Sequence, residues 1–142
     1  MKKIVLGTLG ALLLVSGCAH RETTCQAFKE TFKQNKVMFS QNKAELTPES
    51  KQVLDKQIAW LKKNPTKKII VQGYTDPTGS TAHNLKLGMD RAEAVQAYLE
   101  RNGIESGRVS VVSFGEQDLA SAKNTPQSWK KDRRAVTVIV TE

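Results

Sequence analysis

The chain has 142 residues, 39% of them hydrophobic and 25% charged, which excludes wholesale disorder and leaves room for one domain of ordinary size. Aromatic residues make up only 6%, so the core has to be built from Val, Ile, Leu and Ala. A net charge of +8 would suit nucleic acid, an anionic membrane face or a polyanionic wall, but the cations are not interleaved with aromatic side chains, which argues against nucleic acid.

The first 17 residues read as a leader. Met1-Lys2-Lys3 is a short positive start, and Ile4 to Val15 is an apolar run shorter than the roughly 20 residues a transmembrane helix needs. Ser16-Gly17-Cys18 then supplies two small residues and a thiol, the pattern of a lipoprotein signal in which Cys18 receives lipid before cleavage. A buried core helix would be amphipathic or capped, and would not open on two lysines. Residues 18–36 are therefore expected to be a lipidated cysteine and a polar tether, reaching at most roughly 60 Å if fully extended. Cys25 is the one thiol left after Cys18, and Phe28 and Phe32 stand one helical turn apart.

The globular domain is expected over residues 37–142. Val37-Met38-Phe39 is a short apolar strand, followed by a turn at Ser40-Gln41-Asn42-Lys43. Thr47-Pro48-Glu49 is a helix start, with a capping hydroxyl, a proline suited to the first turn and an acid at the positive end of the dipole. Val53, Leu54, Ile58 and Leu61 give that helix one apolar face, and Asn64-Pro65 ends it. Ile69-Ile70-Val71 reads as a strand covered on both faces, ended by Gly73 and the Asp76-Pro77-Thr78-Gly79 turn.

A second helix is expected from Asn84 or Leu87 to Arg101, with Ala92, Val95 and Leu99 inward and Asn102-Gly103 as its stop, Ile104 folding back on it. Val109 to Phe114 is a third strand. Thr125-Pro126 starts a short helix through Trp129, and Arg134 to Thr141 is a fourth strand with Val136, Val138 and Val140 on one face. The order β-α-β-α-β-(short α)-β predicts an α/β (α+β sandwich) domain: a mixed four-stranded sheet with helices on one face, strands joined through a helix pairing in parallel. The lysine pairs Lys62-Lys63, Lys67-Lys68 and Lys130-Lys131 read first as solvated surface or helix-end charge.

This order brings the turn after the second strand and the start of the second helix to one sheet edge, where ligands of open α/β sheets tend to bind. Asp76 there can accept from an ammonium group, and Arg91 offers a planar fork for a carboxylate. Asn84 can donate and accept at the rim, and Thr75 can hold the turn. Spacing alone leaves two readings open, a clamp for a zwitterionic ligand and a structural Asp–Arg bridge.

Four stretches in order, Gly73-Tyr74-Thr75-Asp76-Pro77-Thr78-Gly79, Asn84-Leu85-Lys86-Leu87-Gly88-Met89-Asp90-Arg91-Ala92, Val112-Ser113-Phe114-Gly115 and Asp132-Arg133-Arg134-Ala135-Val136, resemble the OmpA-like peptidoglycan-binding domain family. The resemblance runs from about Val37 to Val140. It implies non-covalent binding of the peptidoglycan stem peptide at meso-diaminopimelate, whose free end carries an amine and a carboxylate. By this likeness Asp76 takes the amine and Arg91 the carboxylate. Asn84 and one of Arg133 and Arg134 join them, and backbone groups around Thr75 and Thr78 line the pocket. Ala19 after Cys18 resembles the sorting signal of lipoproteins sent to the outer membrane, and TolB-like envelope proteins are implied partners. No cofactor or metal is expected.

Two departures from the family pattern bear on affinity. Tyr74 stands where His is common, and Asp132 replaces an Asn, placing a carboxylate that could pair with Arg133 or Arg134. Two other classes compete. A wall hydrolase would need His83 and Asp76 as a base pair and Ser80 as nucleophile, without any nucleophile-elbow context. A protein-binding envelope lipoprotein would keep only a weakened pocket.

Overall fold

The computed structural model describes residues 35–140; the leader, Cys18, Cys25 and nearly all of the tether lie outside the described residues. Four strands, β1 (Lys36–Met38), β2 (Ile69–Tyr74), β3 (Val109–Gly115) and β4 (Arg134–Ile139), form one sheet in the order β1-β4-β2-β3. Between them come helices α1 (Pro48–Lys63), α2 (Thr81–Arg101) and α3 (Pro126–Asp132), and a single 3-10 turn at Ser106–Arg108.

β2 and β3, joined through α2, pair in parallel as the crossover predicts. β1 and β2 are also joined through a helix, yet they do not pair, because β4 lies between them and runs antiparallel to both. The reason is directional. β3 ends at the same sheet edge as β2, so the chain returning through α3 has to run back, and the edge of β2 that β3 leaves free receives it.

The α1 start follows its sequence: the Thr47 hydroxyl accepts from the Ser50 N–H at 3.2 Å, with Pro48 as first helical residue. Leu54, Ile58 and Leu61 face inward, joined by Trp60. From α2 come Ala92, Val95 and Leu99, all fully buried, and from the sheet Val37, Ile69, Val71, Val109 and Ala135. Burying each of these larger aliphatic side chains contributes about 1.5–3 kcal/mol, so this one layer between helices and sheet carries most of the stabilisation.

Both-face coverage of β2 is not found. Ile69 and Val71 are buried, but Ile70 is only half-buried, because helices cover one face. Val136, Val138 and Val140 do share a face, but it is the open one: Val138 and Val140 remain 38% exposed, while Ala135 faces the helices. Gly73 does not end β2 but sits inside it. A Cβ there would lie 1.7 Å from the Gly88 carbonyl oxygen, so the absence of a side chain is what lets α2 lie against the strand.

α2 begins at Thr81, three residues before the earliest expected start. The Ser80 hydroxyl accepts from the His83 N–H at 3.2 Å, a cap concealed in a Gly-Ser-Thr-Ala run that reads as turn. Its stop is as expected: Gly103 takes φ +94°, and the buried Ile104 donates its N–H to the Leu99 carbonyl at 3.1 Å. α3 runs three residues past Trp129, with a Thr125–Ser128 capping box.

Candidate functional site

β2 delivers the chain to the site through a fixed exit. The Thr75 N–H donates to the Gly115 carbonyl at 2.9 Å, so the ends of β2 and β3 stay joined after the ladder shifts register at Gly73/Tyr74. Gly115 takes φ +53°, and a Cβ there would press on the α2 backbone at Asn84 and Leu85 at 3.3 Å. This close approach holds the first turn of α2 beside the strand ends.

Asp76 follows, buried, and closes an Asx-type turn on itself. Its Oδ1 accepts from the Thr78 N–H at 3.1 Å and from the Thr78 hydroxyl. Its Oδ2 lies 3.4 Å from Arg133 Nη1, an ion pair between side chains that are both largely shielded from water. Arg133 is in turn held by its Nε–H, which donates to the Phe39 carbonyl at 3.2 Å.

Arg91 is fully buried. Its guanidinium donates to three carbonyls: Lys43 through Nε at 2.9 Å, Tyr74 through Nη1 at 2.8 Å and Ser40 through Nη2 at 3.1 Å. It also stacks over the Phe39 ring at 5.3 Å. Burial lowers its pKa to about 10, partly offset by the nearby Asp76 charge. A guanidinium has five N–H donors, so two remain beyond the three carbonyls.

Asp76, Thr78, Gly79 and Asn84 line a cleft of about 290 Å³. Gln41 and Asn42, from the turn after β1, form its other wall, with His83 and Leu87 completing it. Asn42 takes a left-handed φ of 57° and its Oδ1 stands 2.8 Å from His83 Nε2, so the turn is clasped to α2 across the cleft mouth. Asn84 is 1% exposed, and its Nδ2 has no hydrogen-bond partner. The buried Thr75 Oγ1 likewise lacks one. Glu116, at the end of β3, accepts from the Thr81 hydroxyl at 2.8 Å. Its carboxyl is held below the ordinary value, first by Thr81 and then by the Asn84 amide, which stands outside hydrogen-bond geometry.

Six of the seven candidate residues of the domain thus gather in two layers. Asp76, Thr78 and Asn84 line the cleft, and Arg133, Thr75 and Arg91 stand behind it. Arg134 does not join them. It lies over the Tyr74 ring at 3.9 Å and bonds the Asp118 carbonyl at 3.1 Å, on the open face of the sheet. Tyr74 is on that face as well, stacked on Phe114 at 5.3 Å with its hydroxyl donating to Gln72 at 2.9 Å, so the substituted position does not front the cleft. The Asp132 carboxylate pairs with neither arginine: it accepts from the Ala120 N–H at 2.6 Å and pins the loop before α3, while Arg134 Nη1 reaches the Asp132 backbone carbonyl at 3.5 Å. Cys18 lies outside the described residues.

The Ser40–Lys43 turn was the piece that sequence reasoning missed. It reads as a connection, and only the pairing of β1 with β4 brings it over the end of β2. A larger groove of about 440 Å³ lies between α1 and α2, lined by Leu46, Ala94, Ala97 and Tyr98 among others, and shares no residue with the cleft. Among the described residues no three His, Cys, Asp or Glu side chains converge as metal ligands. No described helix is long and apolar enough to cross a membrane.

Residues 38–133 match the OmpA family. The chain is 38% identical to the peptidoglycan-associated lipoprotein of Haemophilus influenzae over 102 residues, covering 72% of this chain and 67% of that one. It is 39% identical to the protein of the same name from Pasteurella multocida, over 72% of this chain and 68% of the relative. The crystal structure of the Burkholderia pseudomallei peptidoglycan-associated lipoprotein superposes with a TM-score of 0.75 at 29% identity, over 78% of this chain and 93% of that one. The C-terminal domain of Helicobacter pylori MotB shares the fold, with a TM-score of 0.70 at 18% identity, over 75% and 84% of the two chains.

Proposed function

Because the chain belongs to the OmpA family, we propose that it is a non-enzymatic lipoprotein that links the outer membrane to the cell wall by binding peptidoglycan. Cys18 carries the lipid, and the domain stands in the periplasm. The name that the Haemophilus and Pasteurella relatives carry, peptidoglycan-associated lipoprotein, supports both halves of this reading.

The ligand is the stem peptide at meso-diaminopimelate, bound by its free amine and carboxylate. Asp76 receives the amine. The observation that carries this assignment is a buried carboxylate on the wall of a cleft that Thr78, Gly79 and Asn84 also line. Asn84, which lines the same cleft, completes the contact. Arg133, the arginine on the Asp76 side, and Arg91, with two N–H donors in reserve, receive the carboxylate. The Ser40–Lys43 turn supplies two of the carbonyls that now occupy Arg91, so ligand entry is expected to shift it. Thr75 and Thr78 hold the turn. TolB-like proteins are the expected protein partners.

The test is co-sedimentation of residues 19–142 with diaminopimelate-type sacculi. Asp76→Asn removes one charge at nearly constant shape and should abolish pelleting; it also takes the counter-ion from Arg133, so the thermal midpoint should fall while a native far-ultraviolet spectrum at the assay temperature shows the domain folded. Equal pelleting of wild type and variant would sink the assignment. Release of soluble muropeptides would revive the hydrolase reading.

A further inference from the structure

The end of the domain opposite the cleft collects cations from three separate elements. The last turn of α1 carries Lys62 and Lys63, the turn into β2 carries Lys67 and Lys68, and the last turn of α2 carries Arg101, all exposed. The contacts make this one surface. Arg108 donates to the Leu61 and Asn64 carbonyls at 3.0 and 2.8 Å and to the Lys67 carbonyl at 3.0 Å, tying the α1 terminus to the start of β2. A Cβ at Gly103 would lie 3.4 Å from Lys62 Nζ, so the α1 lysines rest against the α2 terminus. The Val140 N–H donates to the Lys68 carbonyl at 2.9 Å, which brings in the end of β4.

Helix dipoles account for Lys62, Lys63 and Arg101, since cations favour helix C-termini. They do not account for Lys67 and Lys68, which lie past the helix on the turn and at the strand start. Among the described residues, Glu100 and Glu105 are the acids nearest to the group in sequence. β1 runs in the same direction as β2, so the chain comes into the sheet from this side: Thr137 of β4, three residues before Val140, donates its N–H to the Asn35 carbonyl at 2.9 Å. Asp76, by contrast, follows the far end of β2.

We infer that this basic end docks on an anionic phospholipid surface, holding the cleft turned away from the membrane. No aromatic side chain is interleaved with these lysines, so the surface suits headgroup phosphates rather than nucleic acid. The orientation rests on the proposed wall-binding cleft; the lipid contact itself does not.

Residues 19–142 hold every described element and lack both the leader and the lipid. They should co-sediment with vesicles containing phosphatidylglycerol, weakly with pure phosphatidylcholine, and lose the contact when salt rises from about 0.1 M to about 1 M, where the Debye length shrinks from about 10 to about 3 Å. The quadruple variant Lys62→Gln, Lys63→Gln, Lys67→Gln, Lys68→Gln should bind at least tenfold more weakly, with an unchanged far-ultraviolet spectrum. The variant Lys123→Gln, Lys130→Gln, Lys131→Gln, which removes exposed cations elsewhere, should bind within about twofold of wild type. Absence of wild-type binding, equal binding to neutral vesicles, or equal loss in both variants overturns the inference. Sacculus pelleting of the quadruple variant reports on the cleft separately and should be unchanged.

Discussion

Arg133 and Asp76 form an ion pair in which Oδ2 of the carboxylate lies 3.4 Å from the guanidinium while Oδ1 is taken up by Thr78. The carboxylate is therefore already partly neutralised and held in one orientation. A zwitterionic ligand suits such a pair better than a simple amine does, since it can offer its amine to Asp76 and its carboxylate to Arg133 at once.

The two adjacent arginines should separate in function. Arg133→Gln is expected to weaken sacculus binding roughly 10- to 100-fold, the equivalent of a charge-assisted hydrogen bond of about 1.5–3 kcal/mol. Arg134→Gln removes the group over Tyr74 and should leave binding nearly unchanged while lowering the thermal midpoint. A pelleting assay and a melting curve on each variant decide this, and the reverse pattern would reassign the two residues.

Arg91 is expected to behave as a structural residue as well as a ligand group. Arg91→Ala leaves the carbonyls of Ser40, Lys43 and Tyr74 without their donor and opens a cavity under the Phe39 ring. The loss should be about 3 kcal/mol or more in urea unfolding. Arg91→Ala therefore cannot serve as a clean binding mutant, whereas Asp76→Asn keeps the side-chain shape and every backbone contact and is the milder change.

The cleft was only partly legible in the sequence. Asp76, Asn84 and Thr78 stand within nine residues of one another, on a turn and the helix that follows, so local patterning alone gathers them. Arg133 and the Ser40–Lys43 turn reach the site through the pairing of β4 with β1 and β2, which no local pattern encodes. The fold was legible for the same reason: caps at Thr47 and Thr125, the stop at Gly103 and the alternation in β4 are short-range. What failed was the face. A valine alternation says that three residues lie together, but it does not say whether helices or water will cover them.

Helix and strand meet without side chains at Gly73 and Gly88, and substitution there should be severe. Gly73→Ala places a methyl against a backbone carbonyl that no rotamer can move, and should cost more than about 3 kcal/mol or prevent soluble expression. Gly88→Ala meets the Ser113 hydroxyl at 2.3 Å and the Gly73 carbonyl at 3.0 Å. Ser113 can rotate aside, so this change should cost less, about 1–3 kcal/mol. Chemical denaturation of the two variants checks the order.

Acid should loosen the end of β3. The Glu116 carboxyl is lowered from 4.5 by the Thr81 hydroxyl, so the stability it contributes is present above that value and is lost as pH falls through the folded-state value. Glu116→Gln should melt below wild type at pH 7, and the gap should close as pH falls through the folded-state value. A gap that persists at low pH would show that charge is not its cause.

The strand that enters the domain bears on how the molecule carries load. β1 is three residues long and runs in the same direction as β2, from the end where the chain enters toward the end that holds the cleft. A pull between the proposed membrane anchor and the proposed wall-binding cleft would be directed along the strands. Its ladder to β4 and the Arg133–Phe39 contact would be strained together in shear rather than unzipped one bond at a time, and the mechanical lifetime of the linkage would follow the rate at which that short strand gives way.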